Sequence, residues 1–167
     1  MPEPFPGVYP GTISTTPDVA ALVKAADLVA LGTVGAVRDE GEVVYRVGTT
    51  DVGFRRRVAA LQVERALKGA AGAGGLVEVE FLQPEVPSSM TRLHEGEAVV
   101  LFLKRRGPRH ALVDLVTSAI EPRRLRETFG HGAASPRSDL VQALQEAMRD
   151  PAPDVSVVAN AILEQLG

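Results

Sequence analysis

The sequence predicts a mainly-β chain: an antiparallel barrel of five or six strands, with one helix before it and two after it. Three observations lead there. Residues 57–82 hold two alternating runs around a Gly/Ala loop, the pattern of a half-buried β-hairpin. Glycines 32 and 35 interrupt a β-rich run over residues 27–37, where they let a sheet bulge and coil. Apolar residues return to helical spacing near the end: Leu140, Val141, Leu144, Ala147 and Met148, then Val155, Val158, Ala159, Ile162 and Leu166.

Taken in order, residues 1–17 hold five prolines and two glycines and read as an extended arm. Thr16 caps a short helix and Pro17 suits its first turn. Val19, Leu22, Val23 and Ala26 form its apolar face. The strand at 27–37 follows. Residues 38–56 read as a long excursion that can hold its own hairpin: a turn at Asp39-Glu40-Gly41, a short strand at 42–47 and another turn at 48–53. Excursions of this length are often functional.

In the hairpin, Ala59, Leu61, Val63 and Leu67 share one face, while Ala60, Gln62 and Glu64 share the other. Val77, Val79 and Phe81 oppose Glu78 and Glu80. A slip of one residue would bury the glutamates, so the register is firm. Residues 83–97 form an irregular loop. The continuous apolar run at 98–103 predicts a strand covered on both faces. A polar turn at 104–109 joins it to a strand at 110–117. Residues 123–129 suggest a helical turn. Ser135 caps the first of the closing helices, and Asp150-Pro151-Ala152-Pro153 separates it from the last. The expected organisation is an arm over 1–16, a barrel with its helix over 17–120, and a helical appendage over 121–167 packed on the barrel.

Composition narrows the function classes. The chain has 167 residues, is 45% hydrophobic and carries a net charge of -3, so it can bury an ordinary core and shows no nucleic-acid binder's basic excess. Aromatic residues make up 4% and Trp is absent, leaving few platforms for stacking bases. Without cysteine, disulfides, thiolate catalysis and Cys-bound zinc are excluded. No apolar run approaches the roughly 20 residues of a membrane-spanning helix. Met1-Pro2-Glu3-Pro4 is not the start of a signal peptide. The chain as written is expected to be cytosolic, or exported if a leader has been removed.

The order of motifs resembles a known group. Ala25-Ala26-Asp27-Leu28-Val29 leads into a glycine-bearing strand. After the excursion come Leu61-Gln62-Val63-Glu64-Arg65-Ala66-Leu67-Lys68-Gly69, a Val-Glu-Val-Glu strand, and Gly96-Glu97-Ala98-Val99-Val100-Leu101-Phe102-Leu103. Over residues 20–117 this resembles the OB-like barrels of the netrin-module and tissue-inhibitor-of-metalloproteinase group, and most of all its cysteine-free bacterial members. The resemblance implies an OB-like fold. The group's inhibitors chelate a protease zinc through an amino-terminal cysteine. Met1-Pro2 stands here instead, so that activity carries over to no residue. The stapling disulfides of the animal domains are missing too, so the core alone must hold this barrel.

No catalytic, cofactor or metal constellation reads from the chain. His94, His110 and His131 lack ligand spacing and read as surface residues. Asp39, Glu40, Glu42 and Asp51 could do acid–base work or bind Ca²⁺, but no EF-hand pattern accompanies them and acidic turns are ordinary. The serines lack a nucleophile elbow. The Ala70–Gly75 loop lacks the Walker lysine and precedes a strand. The basic groups Arg55-Arg56-Arg57, Lys104-Arg105-Arg106 with Arg109, and Arg123-Arg124 with Arg126 could face a phosphate backbone or an acidic protein. A solvated rim is the plainer reading. The expected interaction surface is Tyr45, Phe54, Arg55, Arg56, Arg57, Arg105, Arg106 and Arg109. The expected function is a non-enzymatic protein-interaction module. The alternative is an oligonucleotide- or oligosaccharide-binding domain using the basic loops.

Overall fold

A computed structural model describes residues 3–4, 19–69, 75–84, 93, 95–113, 119–120 and 136–166. Their elements are β1 (Glu3–Pro4), α1 (Val19–Ala25), β2 (Leu28–Val47), β3 (Thr50–Lys68), β4 (Leu76–Pro84), β5 (Ala98–Arg106), β6 (Arg109–Leu112), β7 (Ala119–Ile120), α2 (Pro136–Ala147) and α3 (Pro153–Leu166). Thr16, Pro17 and the helical turn expected at 123–129 lie outside the described residues.

The strands run in the order β1-β2-β3-β4-β6-β5-β7, and a further β2–β5 pairing closes β2, β3, β4, β6 and β5 into a ring. The hairpin has the expected register: Leu61 faces Val77, Ala59 faces Val79 and Ala60 faces Glu78. Every contact of the ring is antiparallel except β4 with β6, which is parallel. Partners can be followed from Arg38 to Val58, Glu80, Ala111 and Lys104. Lys104 adjoins Leu103, which faces Leu28. The ring thus closes far along β2 from its starting point, which requires steeply tilted strands.

Alternation along β5 divides the interior into two cores. Val99, Leu101 and Leu103 point into the ring with Leu28, Ala30, Leu61, Val79 and Phe81. Val100 and Phe102 point outward and meet α1, α2 and α3 through Val23, Leu144, Val158 and Ile162. The apolar run at 99–103 is therefore buried on both faces, as its continuity requires. Each large side chain so buried contributes roughly 1.5–3 kcal/mol. A helix of 7 residues such as α1 could not stand alone, and this shared core holds it. Polar ties fix the seam: the Lys24 ammonium meets Asp150 at 3.0 Å, and Lys68 Nζ donates to the Val23 carbonyl at 2.7 Å.

The excursion differs from its expected form. β2 runs unbroken for 20 residues and β3 for 19. Residues 38–57 thus form a two-stranded ribbon that prolongs the first two strands of the ring. Asp39-Glu40-Gly41 does not reverse the chain. Asp39 faces Arg57 and Glu42 faces Arg55, three steps against two, so this stretch is a β-bulge. Asp39 Oδ1 accepts the Gly41 N–H at 2.7 Å inside it. The reversal is confined to Gly48-Thr49 between paired Val47 and Thr50. Gly48 has φ 63 and Thr49 is not in the positive region, the pattern of a type II′ hairpin turn. Acidic and glycine-rich stretches look alike in turns and bulges, which is why sequence placed a turn at each.

Candidate interaction surface

Beyond the ring the ribbon carries a core of its own. Val43 faces Phe54 and Tyr45 faces Val52, so all four lie on one face of the ribbon. Tyr45, Phe54 and Leu82 are buried together, with Val43 and Val52 against them. The two rings meet edge-on at 5.8 Å and 61°, a favourable quadrupole arrangement. Tyr45 is 6% exposed and Phe54 0%. Both rings, expected at the surface, are thus taken up in stiffening the ribbon and offer no stacking platform. The opposite face carries Val44, 41% exposed.

Where the ribbon leaves the ring, an ionic network crosses the outer side of the sheet. Arg109 at the start of β6 holds Glu40 of the bulge through both carboxylate oxygens, at 2.6 and 2.9 Å. It also reaches Glu80 at 3.0 Å and Glu78 at 3.3 Å on β4. Arg38 meets the same Glu78 at 2.6 Å and Glu40 at 3.4 Å. Val58, on β3 between these strands, is fully buried. Two guanidinium groups against three carboxylates leave the network close to neutral. Arg109 is therefore engaged within the chain, and its pKa is raised chiefly by hydrogen bonds to Glu40 and then Glu80.

Glu40 is held below its ordinary value, first by the Arg109 hydrogen bonds, then against a smaller opposing desolvation. A carboxyl group lowered in the folded state stabilises above its unfolded value, 4.5, and that contribution is lost as pH falls through the folded value. Glu40→Gln is expected to flatten the acid limb of a stability–pH curve below that point. Arg109→Ala leaves Arg38 alone against three carboxylates. Its melting temperature should fall further than that of Arg105→Ala, with the gap narrowing in about 1 M salt, where the Debye length is ~3 Å. Thermal melts across pH and salt check both.

The remaining arginines do not share one face. Arg55 is exposed, with Asp39 3.8 Å from its guanidinium. Arg56 lies opposite Leu82 on the outer face, whereas Arg57 lies opposite Phe81 on the ring side. Both are half-buried, and the Arg57 Nε is buried without a hydrogen-bond partner. Arg105 and Arg106 are exposed at the far end of β5, past the Leu103–Leu28 pair. Arg106 faces Arg109, which grips Glu40 of the bulge, so the end of β5 comes back toward the base of the ribbon that carries Arg55. Arg123, Arg124 and Arg126 lie outside the described residues.

His110 pairs with Arg105 in the β5–β6 ladder. Its pKa is lowered by burial first and by Arg105 second, against Asp27. His94 and His131 lie outside the described residues. The ribbon's acids are spread out: Asp51 stands 4.0 Å from Arg46 and Glu42 is exposed. Among the described residues no three His, Asp or Glu side chains gather as around a metal ion, and no helix is long and apolar enough to cross a membrane.

Sequence reasoning named Glu40, Glu78 and Glu80 separately but missed that they meet at Arg109. The Val-Glu-Val-Glu alternation put Glu78 and Glu80 on one face, but nothing local pointed to Arg109 as their partner. On the side away from β3, β2 pairs with β5 from Leu28 to Thr33. The Val37 N–H then donates to Glu95 at 2.8 Å. Over residues 38–44 that edge has no strand beside it among the described residues. At Tyr45 and Arg46 it is met in parallel by β1, through Glu3 and Pro4. No protein-family model matches this chain, and no curated protein matches its sequence.

Proposed function

We propose that the ring is an OB-like barrel and that the protein is a non-enzymatic protein-interaction module, which meets another protein through its ribbon. The fold reading rests on strand order. The sequence β5-β2-β3-β4 is a Greek key, with the fourth strand returning beside the first. Five strands closed this way fit the OB description. One observation carries the functional reading: the ribbon extends the ring's first two strands and has its own buried core. A stiff arm of this kind presents a surface with little ordering cost.

Oligonucleotide binding is the second reading, favoured by the half-buried Arg56 and Arg57. The outer face of β3 and β4, which OB domains use for such ligands, here carries Glu78 and Glu80. Its nearest aromatic rings are buried. Binding of a single-stranded oligonucleotide that falls steeply with salt, and with Arg55, Arg56 and Arg57 changed to Ala, would favour this alternative.

A photo-crosslinking side chain placed at Val44 of the full chain, in extract of the native host, tests the leading reading. Val157, 59% exposed on α3, is the control position. One protein adduct of defined mass is expected at 44 and none at 157. Adducts at 157 alone would contradict the proposal. So would substrate turnover by the purified protein that a point change abolishes.

A further inference from the structure

We infer that Arg57 is the anchor for an acidic side chain of a partner protein, whose carboxylate its guanidinium takes on the ring-side face of the ribbon. The inference rests on the interaction reading above and names the group that is recognised. A guanidinium presents a planar fork of donors that matches a carboxylate. Arginines in partly desolvated places are among the strongest single contributors to protein interfaces.

Three observations locate the site. First, Arg57 is half-buried and its Nε is buried without a hydrogen-bond partner. Such a donor carries a penalty in the free chain. Second, its neighbours leave it so. Asp39 faces it across the β2–β3 ladder, but one Asp39 oxygen accepts the Gly41 N–H at 2.7 Å and the other lies 3.8 Å from Arg55. Phe81 faces it on β4 and its ring holds no acceptor. The resting guanidinium therefore has no hydrogen bond at Nε to lose. A turn of the long side chain sets Nε and one Nη side by side on an incoming carboxylate, the strong bidentate arrangement. Third, Arg57 shares its face with Gly53 and Arg55 and, across the ladder, with Val44 and Glu42. Val44 is 41% exposed, and Gly53 opposite it adds no side chain. Two arginines stand there with Asp39 and Glu42, so the face holds no field for a polyanion, whereas a single carboxylate meets the fork. From Gly53 to Arg57 is four residues of β3, roughly 13 Å at about 3.3 Å per residue. The fitting partner segment is extended, with an aliphatic side chain over Val44 and an aspartate or glutamate four residues away.

The probe is a capped threonine peptide with one valine and, four residues on, one glutamate. It is titrated at millimolar concentration into the isotope-labelled full-length chain. The Nε–H signal of Arg57, assigned by its loss in Arg57→Met, should shift together with the Val44 amide. The same peptide with glutamine for glutamate should bind about tenfold more weakly. In host extract, Arg57→Met should cut the yield of the Val44 crosslink about tenfold, and Arg57→Lys should not restore it, since an ammonium lacks the fork. The melting temperature of Arg57→Met should equal or exceed that of the parent chain, because an apolar side chain of similar length replaces an unpaired buried donor.

Equal binding of the glutamate and glutamine peptides would overturn the inference. So would inorganic phosphate that shifts the Arg57 signal at a lower concentration than the peptide does. A lower melting temperature for Arg57→Met than for Arg55→Met, with the crosslink kept, would make Arg57 a structural residue and overturn it as well. Peptide failure with a Val44 crosslink that Arg57→Met leaves unchanged removes only this inference. Peptide binding with a crosslink at 157 alone removes the broader reading instead.

Discussion

Phe102→Ala should lower unfolding stability by about 3–5 kcal/mol, the range for emptying a fully buried aromatic site. Phe102 is 0% exposed and lies where β5 meets the helices. It faces Val29 across the β2–β5 ladder and belongs to the core that holds α1, α2 and α3. Its neighbours Leu101 and Leu103 fill the ring on the other side of the same strand. A cavity at 102 therefore loosens the helices and the strand that closes the ring. Urea unfolding of the variant, with Val157→Ala as an exposed control expected within ~0.5 kcal/mol, measures it. A loss below about 1 kcal/mol would mean that the helices do not share a core with β5.

Gly32→Ala is the second large effect, with an opposite cause. A Cβ at Gly32 would run into the Gln62 carbonyl oxygen and stand 3.1 Å from the Val63 Cα. Both obstacles are main chain, so no rotamer relieves them. β2 and β3 change register before it, between Val29 and Ala30 and between Leu31 and Gly32, and again after it, between Val34 and Val37. The glycine thus lies among bulges, where the two main chains come close. Forcing a methyl group in should cost about 1–3 kcal/mol, and Gly32→Val more. Gly35→Ala, whose Cβ would meet the Ala60 carbonyl oxygen at 3.2 Å, should cost less. Equal losses at 32 and 35 would contradict this account of the bulges.

How much of this could be read from sequence follows from the range of each signal. The 57–82 hairpin was legible because alternation is local and a one-residue error would bury Glu78 and Glu80. β5 was legible because five consecutive buried residues need cover on both sides. The pattern of α2 and α3 was legible too, though not their sharing of one core with α1 and β5. The strand at 42–47 and the reversal at Gly48 were legible, but Asp39-Glu40-Gly41 was misread as a turn because Gly41 and Gly48 carry the same local signal, one in a bulge and one in a reversal. Tyr45 and Phe54 were placed at the surface because the partner that completes their cluster, Leu82, is on another strand. Arg109 looked like a free cation for a similar reason, since Glu40 and Glu80 reach it only after the ring closes.

The account turns on the ribbon being a rigid arm built on a closed ring. Backbone hydrogen exchange of the free full-length chain addresses that directly. The slowest amides should lie in β5 and in the part of β2 that faces it. Those of the ribbon around Tyr45 and Phe54 should exchange far more slowly than an unfolded chain, since buried contacts and ladder hydrogen bonds set local opening. Unfolded-like exchange throughout residues 42–55, with the ring still protected, would contradict it.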